Sequence, residues 1–206
     1  MVPSRPASRA RLPRRDWRCP IRIAAPKETH EGEKRVAITP DSTKKLIERG
    51  FEVAVERGAG EAAGFLDAAY EAVGAKLVTR DEALSAPLVL KVRPPSDAEA
   101  RALAERTMLV SLLYPDRHPS LVPIFVERQV TSLALERVPR VTRAQKMDVL
   151  SSMGNLLGYR AVIEASNAFQ GFFGAQVTAA GSSRPARVLV IGAGVAGLAA
   201  IGAARG

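Results

Sequence analysis

Between Ile21 and Leu133 the chain alternates six short apolar runs with amphipathic segments, and that alternation leaves few architectures open. The runs are Ile21–Ala24, Val53–Val55, Lys76–Val78, Leu88–Leu90, Met108–Leu112 and Val130–Leu133. Each is too short for a helix and reads as a buried strand. Between them, 40–49, 67–73, 97–105 and 118–128 have helical spacing, with start signals at Asp41, Asp67 and Pro119. Parallel strands need crossover connections, so repeated strand–helix units predict a parallel sheet covered by helices. The expected fold class is therefore α/β, with a flavodoxin-like or Rossmann-like N-terminal domain over residues 21–140.

A different pattern follows. Residues 143–168 predict a long helix with Met147, Leu150, Gly154, Leu157 and Ala161 on one stripe, and Asp148, Ser151, Ser152 and Asn155 on a polar stripe beside it. A turn-rich connector at 179–185 leads to an apolar run, Arg187–Ile191, expected to be a strand. That run enters Gly192-Ala193-Gly194-Val195-Ala196-Gly197 directly, and a small-residue helix is expected over 198–204. A lone GxGxxG means little, but one set between an apolar strand and a helix start is the context of a dinucleotide site. Gly192 permits the tight turn, and Gly194 lets the backbone amides of the Ala193–Val195 loop approach a pyrophosphate. Gly197 lets the helix close on the strand. The acidic residue that would hold the adenine ribose belongs about 20 residues further on, beyond Gly206. The expectation is thus a linking helix and connector at 141–180, then a truncated Rossmann domain at 181–206, the whole being the N-terminal part of a longer polypeptide.

The net charge of +9 suggests nucleic acid until it is divided along the chain. Residues 1–20 carry six arginines against Asp16, a net of +5, leaving +4 for the other 186. With Pro3, Pro6, Pro13 and Pro20 and no apolar core, this leader reads as a disordered basic tail rather than a secretory signal. No nucleic-acid partner is expected of the body. Charged residues or prolines break every apolar run, so no direct membrane insertion is expected. Cys19 is the single cysteine, which leaves no disulfide and no Cys/His cluster for a metal, and suits a reducing compartment.

Six segments carry a family resemblance: Pro26-Lys27-Glu28, Lys34–Pro40, Glu56–Gly60, Leu90-Lys91-Val92, Pro139–Gln145, and Leu150–Met153 with Gly158–Ala161. On these the chain resembles the NAD(H)-binding alpha subunits of proton-translocating NAD(P) transhydrogenases, within the superfamily they share with alanine dehydrogenases. The first four segments are superfamily-wide, whereas the Arg140-x-x-Arg143-Ala144-Gln145 loop with Asp148 marks the transhydrogenase branch. The resemblance implies NAD(H) bound here and NADP(H) on a partner subunit, with direct hydride transfer between them coupled to proton translocation. It places Arg140, Gln145, Asp148 and Ser151 around the nicotinamide: Arg140 paired with Asp148, the Gln145 amide on ribose or carboxamide, Ser151 offering a hydroxyl. It further implies a homodimer on the cytoplasmic side, peripheral to the inner membrane through membrane-spanning and NADP-binding subunits.

Chemistry bears on the choice of branch. Oxidising an amino acid requires proton transfers as well as hydride loss, so it needs a general acid/base. Hydride transfer between nicotinamides needs none, and no catalytic side chain is expected. Where the resemblance puts the alanine dehydrogenase histidine, this chain has Tyr114-Pro115; its histidines, His30 and His118, read as exposed loop residues. Arg35 and Lys91 match residues that hold the substrate in alanine dehydrogenases, but are expected here to be structural. Tyr159 is expected in the core. The alternatives are an alanine dehydrogenase-like enzyme and a non-catalytic, truncated dimerisation module.

Overall fold

A computed structural model describes residues 21–205, and the arginine-rich leader lies outside them. The described chain divides into two compact units, with the boundary between Leu133 and Ala134.

The first unit is built on a six-stranded sheet. Its strands are β1 (Arg22–Ala25), β2 (Glu52–Glu56), β3 (Lys76–Val78), β4 (Leu88–Leu90), β5 (Met108–Ser111) and β6 (Thr131–Ala134), ordered β3-β2-β1-β4-β5-β6. Parallel ladders set Ile23 opposite Val53 and Leu88, Val55 opposite Leu77, and Val89 opposite Leu109. All six expected strands are present, the inner ones buried as the apolar runs of a parallel sheet require, and the edge strand β6 largely exposed. Ala24, Val55, Val89 and Leu109 are wholly buried. Five helices cross over between the strands: α1 (Pro40–Glu48), α2 (Asp67–Ala72), α3 (Arg80–Leu84), α4 (Asp97–Ala102) and α5 (Leu121–Glu127). Three begin with reciprocal caps, in which Thr39, Thr79 and Ser96 accept from the backbone N–H of Ser42, Glu82 and Glu99. Each cap satisfies a donor the helix itself cannot. Helix α3, five residues long, is an addition to the four expected helical segments. Tyr70 of α2 is fully buried, and its hydroxyl donates to the Ile38 carbonyl at 2.9 Å, tying α2 to the loop that enters α1.

The second unit contains a 3₁₀ segment (Thr142–Met147), α6 (Val149–Ala168), a hairpin of β7 (Gln176–Thr178) and β8 (Gly181–Ser183), and α7 (Val195–Arg205). Helix α6 starts later than residue 143 because the tighter turn precedes it and Asp148 caps it. The connector expected at 179–185 is instead largely hairpin, its two-residue tip followed by Gly181 at φ +137°. Residues 187–191, expected as a strand, are not assigned one, since no other strand among the described residues runs beside them. Leu189 and Ile191 are accordingly exposed. Helix α7 begins three residues before the expected 198, inside the glycine motif at Val195.

Helices α6 and α7 pack backbone to backbone. A Cβ on Gly158 would lie 2.0 Å from the Ala196 carbonyl oxygen, whereas one on Gly154 would only touch Val195 at 3.9 Å. Among the described residues no helix is long and apolar enough to cross a membrane.

Candidate functional site

In the second unit the glycine loop turns on Gly192, whose φ of +105° lies in the region that favours glycine. A Cβ at Gly197 would sit 1.9 Å from the Gly192 carbonyl oxygen, so only glycine lets the first turn of α7 close on the loop. Gly194 has nothing within 4 Å of its Cβ position and, like Gly192, Ala193 and Val195, is exposed. The first intrahelical bond runs from the Leu198 N–H to the Gly194 carbonyl at 2.9 Å. The N–H groups of Val195, Ala196 and Gly197 precede it, and Gly194 has no side chain to cap them. An open helix start, whose first N–H groups have no intrahelical acceptor, together with the positive dipole end fits a pyrophosphate.

The other expected residues gather at the start of α6. Asp148 Oδ1 accepts from the Ser151 backbone N–H at 2.9 Å, and its Oδ2 accepts from the Ser151 hydroxyl at 2.6 Å. Ser151's hydroxyl and N–H, with Arg140 acting through space, hold the Asp148 carboxyl below the usual carboxylate range. Among the described residues no ion pair within 4.0 Å joins Arg140 to Asp148. Arg140 and Gln145 are exposed, and Gln145 meets Asp148 through its backbone carbonyl at 3.2 Å. The structure therefore brings Asp148 and Ser151 together, while Gln145 in the 3₁₀ segment and Arg140 just before it are exposed. Tyr159 is exposed on α6, not in a core.

The first unit holds a charged network that sequence patterning did not mark. It lies at the carboxyl ends of the strands, where the order reverses between β1 and β4, the usual place for a ligand crevice in an open α/β sheet. Lys91, 1% exposed, pairs with Glu28 at 3.3 Å and Glu99 at 3.1 Å. Arg80 bridges Glu99 and Glu56. Arg35 forks onto Glu33 through two bonds of 2.7 and 2.6 Å, and Arg93 joins the same carboxylate at 2.8 Å. The Arg35 fork holds Glu33 down, from an ordinary 4.5 to about 2, with Arg93 reinforcing it. Burial pushes Glu99 up, but the Ser96 N–H, Lys91 and Arg80 more than offset it. Arg35, Arg80, Lys91 and Arg93 thus balance Glu28, Glu33, Glu56 and Glu99. The legible signals were the Thr79-x-x-Glu82 and Ser96-x-x-Glu99 caps; the long-range partners, up to 65 residues apart, leave no local trace.

His30 and His118 are exposed, as expected, and line one cavity of about 250 Å³ beside Lys91. Tyr114, at the position the resemblance gives to a histidine, adopts φ +44° and carries the Arg117 guanidinium 5.5 Å from its ring centre.

Residues 24–157 match the alanine dehydrogenase/PNT N-terminal domain and residues 161–206 the corresponding C-terminal domain. The chain is 52% identical over 186 residues to an NAD(P) transhydrogenase subunit alpha of Cereibacter sphaeroides, covering 89% of this chain and 36% of that one. It is 35% identical to an alanine dehydrogenase of Halomonas elongata, covering 86% of this chain and 48% of that one. A solved transhydrogenase from Sinorhizobium meliloti superposes with a TM-score of 0.86 at 40% identity, over 89% of this chain and 55% of that one. The chain therefore spans between about a third and a half of the length of the curated relatives it matches. With both domain families matched in order, and with greater likeness to the transhydrogenase alpha subunit than to the alanine dehydrogenase, the chain belongs to the alanine dehydrogenase/PNT family.

Proposed function

We propose that this chain is the NAD(H)-binding part of an NAD(P) transhydrogenase, passing hydride directly to NADP⁺ held on a partner subunit. The observation that carries the reading is the 52% identity to a transhydrogenase alpha subunit along nearly the whole described chain. The open start of α7 supports it, since Gly194 leaves room for a pyrophosphate against N–H groups that have no intrahelical acceptor. When bound, NADH supplies the hydride; the chain's work is to bind, orient and exclude water. Asp148, fixed by Ser151 and held ionised, presents a rigid acceptor, and the exposed Gln145 amide and Arg140 guanidinium supply adaptable donors from the adjoining segment. The balanced network around Lys91 leaves its cations committed to carboxylates of this chain, which favours a structural role over capture of an amino-acid carboxylate. The functional form is a homodimer, peripheral to the inner membrane through membrane-spanning and NADP-binding subunits, with hydride transfer coupled to proton translocation.

The test uses the full-length protein. NADH-dependent reduction of an NADP analogue that requires the partner subunits is the expected result. NADH oxidation driven by pyruvate and ammonia without any partner would overturn the reading in favour of an amino-acid dehydrogenase.

A further inference from the structure

Two clusters proposed to hold the nicotinamide half and the pyrophosphate of one dinucleotide lie on different helices: Asp148 and Ser151 at the start of α6, and the glycine loop at the start of α7. Nothing in either cluster sets the spacing between them. That spacing is set where the helices cross, at Gly158, which is buried and whose Cβ position lies 2.0 Å from the Ala196 carbonyl oxygen, 2.8 Å from its carbonyl carbon and 3.0 Å from its Cα. These are backbone atoms in the first turn of α7, so they cannot yield by a side-chain rotation. Gly154, one turn earlier on α6, faces only the Val195 side chain at 3.9 Å.

We infer that Gly158 is a positioning residue for the dinucleotide: by letting the α7 backbone seat directly on α6, it fixes the pyrophosphate loop at a set distance from Asp148 and Ser151. The rise along α6 from Ser151 to Gly158 is about 10 Å, so α6 acts as a ruler between the nicotinamide and the pyrophosphate. A methyl group at residue 158 forces α7 off that seat. The pyrophosphate donors then move as a group, each keeping its local geometry while losing its registry with the α6 start. This inference rests on the cofactor site proposed above.

The experiment compares NADH with ADP, which reaches the glycine loop but not Asp148 or Ser151, by titration of the full-length protein. Gly158→Ala is expected to weaken NADH by about tenfold or more, as the loss of one hydrogen bond to a charged group would, while ADP affinity changes by less than about twofold. Gly154→Ala is expected to change neither. Equal weakening of both ligands by Gly158→Ala, or unchanged NADH affinity, overturns the inference, because a merely structural role cannot separate the two. A wild-type protein that binds ADP with no gain for NADH overturns the nicotinamide end of the site itself, a separate failure. Should Gly158→Ala not fold, hydrogen exchange of the wild-type protein decides. Slowing by ADP in α6 around Gly158 as well as in α7 supports the ruler, and slowing confined to α7 overturns it.

Discussion

Lys91 is the residue on which the first unit's packing turns, because its ammonium is almost completely removed from water and is paired there with two carboxylates, Glu28 and Glu99. Removing one member of such a group strands the rest, which costs more than the group contributes relative to apolar packing. Lys91→Met is therefore expected to destabilise the protein by about 3–5 kcal/mol, read as a lower urea midpoint at unchanged slope. Glu33 gives the network an acid limb. Its folded carboxyl titrates near 2 against an ordinary 4.5, so it binds fewer protons folded than unfolded. The stabilisation it provides is complete above about pH 4.5 and is lost as pH falls toward 2. Because Arg35 and Arg93 are partly solvated, screening reduces the effect to roughly 1–2 kcal/mol. Glu33→Gln is expected to flatten that part of the stability–pH curve, and a curve as steep as wild type between pH 4.5 and 2 would show that another carboxylate carries it.

At the scale of elements, the chain's caps and its charges are partly the same atoms. Glu99 takes the Ser96 N–H on one oxygen at 2.8 Å and Lys91 with Arg80 on the other, so the start of α4 and the buried network share one carboxylate. Ser96→Ala removes the cap acceptor for the Glu99 N–H and is expected to cost about 1 kcal/mol in thermal or urea unfolding. The same short signals decide what was legible. The six strands could be read because each centres on a short apolar stretch set between helical segments, whereas the five residues of α3, Arg80–Leu84, are too few to show a helical period. Its Thr79-x-x-Glu82 box was nonetheless present in the sequence. Residues 187–191 show the opposite error. Their apolar character was read correctly, but a strand is a ladder between two segments, and one segment's composition cannot supply its neighbour.

At the scale of the whole molecule, the fold class and the glycine loop were legible because both depend on spacing within about thirty residues, the length of a strand–helix–strand unit. The pairing of Glu28 with Val92 and Arg93, and the seating of Ala196 on Gly158, join residues far apart in the chain and could be found only in three dimensions. The same contrast bears on the reaction. His30 and His118 share a cavity with Lys91, an arrangement that spacing alone did not foresee and that could be mistaken for an acid/base centre. If the chain only orients a dihydronicotinamide, no proton passes through either imidazole, since hydride transfer between two nicotinamides is complete without one. The His30→Asn/His118→Asn double variant is therefore expected to keep the NADH-to-NADP-analogue rate of the assembled enzyme within about twofold. Loss of a general acid/base would instead reduce it by about 10²–10⁴. A loss of that size, with an altered pH profile and unchanged NADH affinity, would mean that this cavity handles a proton and that the chemistry extends beyond positioning.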